Sequence, residues 1–216
     1  MTSMNSTLTL SMLTKGFLIR HAEKDTQGSV REDLDMRLSE GGRRGAERLG
    51  ATMGSQLKTL VSSSVPRCLE TAEAIRTGAG RPIPLLSDWR LGNPGVWVID
   101  TEAAGEAFRT LGPREVVRRQ LAGETVPGLR DMKGGARLLL ECILSHLPEG
   151  GGYVVFVSHD AVIAPLIGHL INCVDIEAIW PDFLEQVVFT RGDDELTMEW
   201  RIRIRTFSHE EPWLEK

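Results

Sequence analysis

The sequence predicts an α/β fold, a three-layer α/β/α sandwich on a mostly parallel sheet, and three observations carry that expectation. Short apolar runs that read as strands, near 16–20, 58–62, 82–86 and 153–158, alternate with stretches that read as helices, near 40–54, 65–76, 135–147 and 161–171. Strands alternating with helices join by right-handed crossovers into a parallel sheet covered on both faces. The runs Phe17-Leu18-Ile19 and Tyr153-Val154-Val155-Phe156-Val157 are continuously apolar, as strands buried on both faces are. At 216 residues, 41% hydrophobic and 25% charged, the chain can bury one substantial core, so residues 1–216 are expected to form one domain.

The elements follow in order. Met1 to Thr14 carries Leu8, Leu10, Met12 and Leu13 interrupted by Thr and Ser, without a basic stretch ahead of them. It reads as a disordered or strand-extending leader of a cytoplasmic protein rather than a signal peptide. The first strand ends abruptly in Arg20-His21. In Leu60 to Arg67 a second strand gives way to small residues, with Ser64 as expected N-cap and Pro66 tolerated early, so Arg67 joins a helix N-terminus that favours anions. Residues 88–133 break the alternation: a turn-rich start from Asp88 to Trp97 leads into a helical stretch from Glu102 to Leu121 broken at Gly112-Pro113. An insertion of that length is usually functional, and it is expected to form a cap over the strand ends. The fourth strand delivers Ser158-His159-Asp160, with Pro165 predicting an irregular first turn in the helix that follows. The runs 186–190 and 196–205 flank Arg191-Gly192-Asp193-Asp194 and read as a C-terminal antiparallel hairpin. Its second strand, with Arg201, Arg203 and Arg205, is expected to be a charged edge.

Ligand sites in open α/β sheets sit beyond the carboxyl ends of the strands, and three such ends here carry Arg-His, Arg and His-Asp. An arginine fork suits phosphate oxygens, and a neutral imidazole can attack phosphorus. Net charge is −5, so attraction to nucleic acid is not expected, and no segment reads as a membrane span. Cys68, Cys142 and Cys173 are odd in number and lack metal-type spacing, which suggests free thiols in a reducing compartment. No His/Asp cluster stands at metal spacing either. Of the other histidines, His146 falls in a last helical turn, His169 in apolar sequence that reads as core, and His209 in a polar tail.

Arg20-His21, Leu38-Ser39-Glu40-Gly41-Gly42, Ser64-x-x-Arg67-x-x-x-Thr71-Ala72 and Ser158-His159-Asp160, in that order and spacing, resemble the histidine phosphatase superfamily, the phosphoglycerate-mutase-like fold. Ala22 stands where glycine is common and Cys68 where alanine usually follows the second arginine; both are small and remove no functional group. The resemblance implies phosphate ester hydrolysis without metal or cofactor. Arg20, Arg67 and a protonated His159 would neutralise the phosphoryl charge while His21, its other N–H held by a backbone carbonyl, attacks in line to give a phosphohistidine. A nearby dianion should keep His159 charged.

The acid that protonates the leaving oxygen has two candidates. Asp160, directly after the second histidine, resembles the acid-phosphatase and phytase branch and is favoured, while Asp88, after the third core strand, resembles the mutase branch. Glu23 is assigned to the pocket rim. The resemblance also implies that the 88–133 cap selects substrate. Trp89, Arg90, Trp97, Arg118, Arg119, Arg130 and Lys133 are the candidates to hold the rest of it, Trp89 and Arg90 foremost. The expected activity is a phosphatase for a small phosphorylated metabolite; a protein phosphohistidine phosphatase and a non-catalytic phosphate-binding regulatory module are the alternatives. Oligomeric state is not legible.

Overall fold

The computed structural model describes residues 13–25 and 36–208. The leader up to residue 12 and His209 lie outside the described residues.

The alternation predicted above is present. Strands β1 (Thr14–Arg20), β2 (Leu57–Ser62), β3 (Leu85–Ser87) and β4 (Gly152–Ser158) form the parallel half of a sheet ordered β3-β2-β4-β1-β5-β6-β7. The last three, β5 (Gln186–Arg191), β6 (Glu195–Trp200) and β7 (Arg203–Ser208), run antiparallel in turn from β1 outward. Around the sheet lie α1 (Glu40–Met53), α2 (Pro66–Gly78), α3 (Thr101–Leu111), α4 (Pro113–Leu121), α5 (Met132–His146), α6 (Asp160–Leu170) and a single turn α7 (Ile176–Ile179). Side chains that alternate along the strands divide the core in two. Leu18, Val61, Val154 and Phe156 join Leu139 and Ile143 of α5 and Ile163 and Leu166 of α6. Ile19, Leu60, Val155 and Val157 join Ala46 of α1 and Ala72 and Ile75 of α2 on the opposite face.

Local chemistry sets the helix starts. The Ser39 hydroxyl accepts from the Gly42 N–H to cap α1, Asp100 caps α3, and Asp131 caps α5 through Gly134. Helix α2 differs from expectation. Its N-cap is Val65, with Pro66 at the first position, and no side chain caps it. Ser64 is exposed and instead accepts from the Asn93 side chain. Pro165 lies inside α6 without ending it; the Val162 and Ile163 N–H groups both reach the His159 carbonyl, which tightens the first turn. His169 is half-buried on α6 rather than core.

One further expectation is corrected. The run 196–205 is two strands, because Arg201 adopts φ 52° and turns the chain between β6 and β7. Only Arg203 and Arg205 therefore lie on the edge strand, while the Arg201 guanidinium reaches back to Glu185 and the carbonyl of Trp180. The 88–133 insertion packs partly into the main core and partly on a small cluster of its own, with Ala104, Ala107, Val116, Val126 and Leu129. Leu91, Val96, Trp97 and Val117 belong to the same apolar cluster as α5 and α6, and the Trp97 indole donates to the Val162 carbonyl at 2.9 Å. Its start, from Asp88 to Trp97, reaches the strand ends, whereas α4 lies against α6 and α7.

Helices α1 and α2 approach each other so closely that a Cβ on Gly50 would meet the Ile75 carbonyl oxygen at 2.0 Å. Alanine normally stabilises a helix relative to glycine by roughly 1 kcal/mol. At Gly50 the sign reverses, and Gly50→Ala is expected to cost about 1–3 kcal/mol through overpacking against backbone. In contrast, Gly105 in α3 has open space around its Cβ direction, so Gly105→Ala should gain about 0.5–1 kcal/mol. Urea midpoints at unchanged slope check both; stabilisation by Gly50→Ala would contradict the packing described.

Candidate active site

The β1–β4 register sets Arg20 beside Ser158, so the residues just past the two strand ends, His21 and His159, stand side by side. The His21 N–H continues the ladder to the Ser158 carbonyl at 2.9 Å, and the Ser63 N–H does the same to Val157 at 3.0 Å. The imidazole centroids are 5.5 Å apart. Arg67, one residue into α2, completes the group.

His21 is buried, at 3% exposure. Its Nδ1 lies 2.8 Å from the Ala22 carbonyl and donates to it, which leaves the Nε2 lone pair to accept from Arg67 Nε at 3.0 Å. The backbone carbonyl expected beside His21 is thus in place, supplied by the next residue. Ala22 is itself fixed by its N–H to Thr71 Oγ1, which donates onward to the Arg67 carbonyl, so the Thr71 segment ties α2 to the end of β1. Burial, reinforced by Arg67 and Arg20, lowers the His21 pKa to about 4 against the Ala22 bond.

His159 lies on the other side of Arg67. Its Nε2 is 3.1 Å from Ser63 Oγ, and because that hydroxyl donates to the Gly92 carbonyl, the imidazole is the donor to Ser63. Its Nδ1 then accepts from the Arg67 guanidinium at 3.2 Å. One guanidinium therefore holds two imidazole lone pairs. Burial first, then the charges of Arg67, His21 and Arg20, push the His159 pKa well below 6.5. The expected imidazolium is accordingly neutral among these protein groups, and an approaching phosphoryl dianion is the charge that would reverse this. Gly92, at φ 134°, is the wall behind the ring, since a Cβ there would come within 2.6 Å of His159 Cδ2. Cys68 Sγ lies 3.5 Å from His159 Nε2, but burial pushes its thiol pKa up to about 12, so it is no thiolate.

Arg20 holds the outer side. Its guanidinium pairs with Asp160 at 2.7 Å, donates to the Pro181 carbonyl at 2.9 Å and stacks 4.1 Å above the Phe183 ring, while its buried Nε has no partner. Asp160 also accepts from the Ala161 N–H, at the first turn of α6. Glu23 accepts from the Ser39 hydroxyl, beside the start of α1.

Asp88 and Arg90 stand apart. Both Asp88 oxygens accept from Arg90, and Cys142 Sγ on α5 lies 3.5 Å from Oδ2. Burial works to raise the Asp88 pKa, and the Arg90 bonds outweigh it, leaving it lowered. Trp89 is half exposed, and Trp97 is buried as described. Arg118 and Arg119 pair with Glu115 and Glu124, Arg130 Nε donates to the Val96 carbonyl, and Lys133 is exposed. The bonds of Trp97, Arg118, Arg119 and Arg130 hold the insertion together.

Sequence reasoning missed Ser63, Gly92 and Phe183, whose ring centroid lies 5.7 Å from that of His21. A signal for Phe183 existed. It sits in the turn just before β5, and an antiparallel neighbour of β1 begins where β1 ends.

A histidine with its pKa lowered to about 4 binds its proton later than the unfolded chain does, so its contribution to stability is full above about pH 6.5 and is lost as pH falls toward 4. Imidazole NMR should show His21 neutral, with Nδ1 protonated, down to about pH 4; titration near 6.5 would contradict the burial and Arg67 contact described.

Among solved structures, a phosphoglycerate mutase from Bacillus anthracis is 19% identical, with TM-score 0.59 over 88% of this chain and 92% of that one. A mycobacterial glucosyl-3-phosphoglycerate phosphatase is 22% identical, with TM-score 0.58 over 91% and 98%. A phosphoserine phosphatase from Entamoeba histolytica, solved with 3-phosphoglyceric acid, is 20% identical, with TM-score 0.53 over 81% and 89%. At these identities the likeness is one of fold. No curated protein matches the sequence. The model of the histidine phosphatase superfamily, branch 1, matches residues 17–189, from β1 through β5 and across every strand end that builds the Arg20, His21, Arg67 and His159 group, and the chain belongs to that superfamily.

Proposed function

We propose that the protein is a metal-independent phosphomonoesterase that hydrolyses a small phosphorylated metabolite through a phosphohistidine on His21. The observation that carries this reading is the Arg67 fork between two neutral imidazoles. Its guanidinium supplies positive charge at the His21 Nε2 that must attack phosphorus, and it holds that lone pair at 3.0 Å until something else attracts it. A phosphoryl dianion is such a group. It draws Arg67 off His21, and Arg20 off Asp160, onto its own oxygens.

Each step then has its group. His21 Nε2 attacks in line, the P–O ester bond breaks as the P–N bond forms, and the Ala22 carbonyl stabilises the charge that appears on the ring. Asp160, released from Arg20, takes up a proton from solvent and delivers it to the leaving oxygen. In the second half water attacks, the P–N bond breaks, and Asp160 takes the water proton. Asp160 is favoured over Asp88 because it touches Arg20 within the cluster, whereas Asp88 is held by Arg90 and Cys142. A small substrate suits an exposed Phe183 edge beside a buried phosphoryl cradle. Three free cysteines support a cytoplasmic setting, and among the described residues no helix is long and apolar enough to cross a membrane.

Turnover of phosphorylated metabolites, phosphohistidine peptide and p-nitrophenyl phosphate tests the reading. His21→Ala should abolish activity with circular dichroism unchanged, and Arg67→Ala or His159→Ala should cost on the order of 10²–10³ in rate. Full activity in His21→Ala would end the covalent mechanism.

A general acid contributes roughly 10²–10⁴, most of it with poor leaving groups. Asp160→Asn should therefore slow alkyl phosphates far more than p-nitrophenyl phosphate, and Asp88→Asn should slow both alike and less. The reverse pattern would transfer the acid role to Asp88.

Chelators should leave turnover unchanged and vanadate should inhibit. Loss in chelator, restored by a divalent ion, would overturn the metal-free mechanism.

A further inference from the structure

Away from the imidazole pair, the fold gathers three metal-ligating side chains that the sequence keeps far apart. Asp88 leaves the end of β3, and Cys142 and His146 stand one turn apart on α5. One donor atom from each lies within 4.8 Å of the other two. No spacing rule finds this group, because Asp88 precedes Cys142 by 54 residues.

We propose that Asp88, Cys142 and His146 form a binding site for a divalent cation of the zinc class, which pins the segment after β3 to α5. Four features point the same way. The ligand set is one thiol, one imidazole and one carboxylate, a borderline-soft combination that suits zinc and disfavours calcium and magnesium. Cys142 Sγ donates its hydrogen toward Asp88 Oδ2 across 3.5 Å, so an electropositive atom already lies between sulfur and oxygen. Donors on a tetrahedral zinc sit about 3.3–3.8 Å apart, and that pair is at the required separation. His146 Nδ1 lies 2.9 Å from the Cys142 carbonyl; donation there leaves Nε2 as the ligating nitrogen and supplies the outer bond that ligating histidines commonly make. Arg90 orients Asp88 from outside, holding Oδ1 from its Nε and backbone N–H and Oδ2 from its Nη2 at 2.6 Å, so the ion would take the remaining lone pair of Oδ2 on the side facing Cys142.

The site is sheltered. Cys142 is buried and the Asp88 side chain is 10% exposed. On binding, the S–H bond breaks, its proton passes to solvent and a sulfur–metal bond forms. The thiolate and carboxylate then offset the divalent charge, the Arg90 guanidinium stays paired with Asp88 and leaves the site one positive charge, His146 supplies Nε2, and water takes the fourth position. The ion would brace the turn Trp89–Leu91, and none of its ligands belongs to the imidazole pair. Its presence is therefore read in metal binding and stability, independently of whether the protein is a phosphatase.

Cobalt(II) reports thiolate ligation by a near-ultraviolet charge-transfer band, so metal-stripped protein is titrated with Co²⁺, with Zn²⁺ as competitor. The expected result is a band saturating at one equivalent, displaced by Zn²⁺, absent in Cys142→Ser, weakened at least tenfold in affinity in His146→Gln, and intact in Cys68→Ser and Cys173→Ser. Thermal unfolding should show a Zn²⁺-dependent rise in midpoint that Cys142→Ser loses while its metal-free midpoint and circular dichroism confirm a folded chain. If Cys142→Ser does not fold, His146→Gln alone decides through the cobalt affinity. Absence of the band at excess Co²⁺, or a band that survives Cys142→Ser or depends on Cys173, would overturn the proposal.

Discussion

Everything at the candidate site hangs from the unslipped parallel pairing of β1 with β4. Seven consecutive residue pairs keep register from Thr14 with Gly152 to Arg20 with Ser158, and the His21 N–H then continues the ladder. A shift of one residue would turn every side chain on β1 to the opposite face, sending Leu18 and Ile19 into each other's clusters. It would also carry His21 away from the level of His159. The register is protected because both faces of both strands are buried in dissimilar surroundings, one against α5 and α6 and the other against α1 and α2. Core packing thus fixes the height at which the two imidazoles meet.

That height places both rings within reach of Arg67, and the electrostatics follow. A buried guanidinium would be costly among apolar side chains, but here it donates to nitrogen lone pairs on both sides. In return its charge opposes protonation of either ring. The three groups therefore form a permanent cation between two bases that burial first, and its field second, keeps neutral. The result is a pocket that is positive without being acidic, which suits a visitor bringing negative charge. Gly92 and Ser63 hold the second ring against this cation from behind.

Much of this was legible in the chain because the signals were local. An apolar run ending in Arg20-His21, another ending in His159-Asp160, and an early arginine after Pro66 each combine strand or helix chemistry with a functional group over a few residues. What was not legible depended on distant partners. Ser64 has the chemistry of a cap, but Val65 takes the position and Asn93 occupies the hydroxyl. The protonation of His159 follows from burial and from Arg67, 92 residues earlier. Arg201 looked like one of three edge charges, yet its backbone turns the chain and its side chain serves a loop 16 residues upstream. The insertion was visible as an interruption, but its merger with the α5 and α6 core was not, because Leu91, Val96 and Trp97 find partners only in three dimensions.

That upstream loop links the margin of the sheet to its centre. Arg201 grips Glu185 with two donors, and Glu185 in turn accepts from the Asp182 N–H and, through its backbone, from Arg20. Between them the chain turns at Leu184, whose N–H returns to the Arg20 carbonyl, while Pro181 and Phe183 receive the Arg20 side chain. The bend that ends β6 is in this sense a guy-rope, anchored two strands away from β1 and tightened on the arginine beside His21. Sequence change at the far margin, where surfaces usually drift without penalty, is felt as a change in the aim of Arg20.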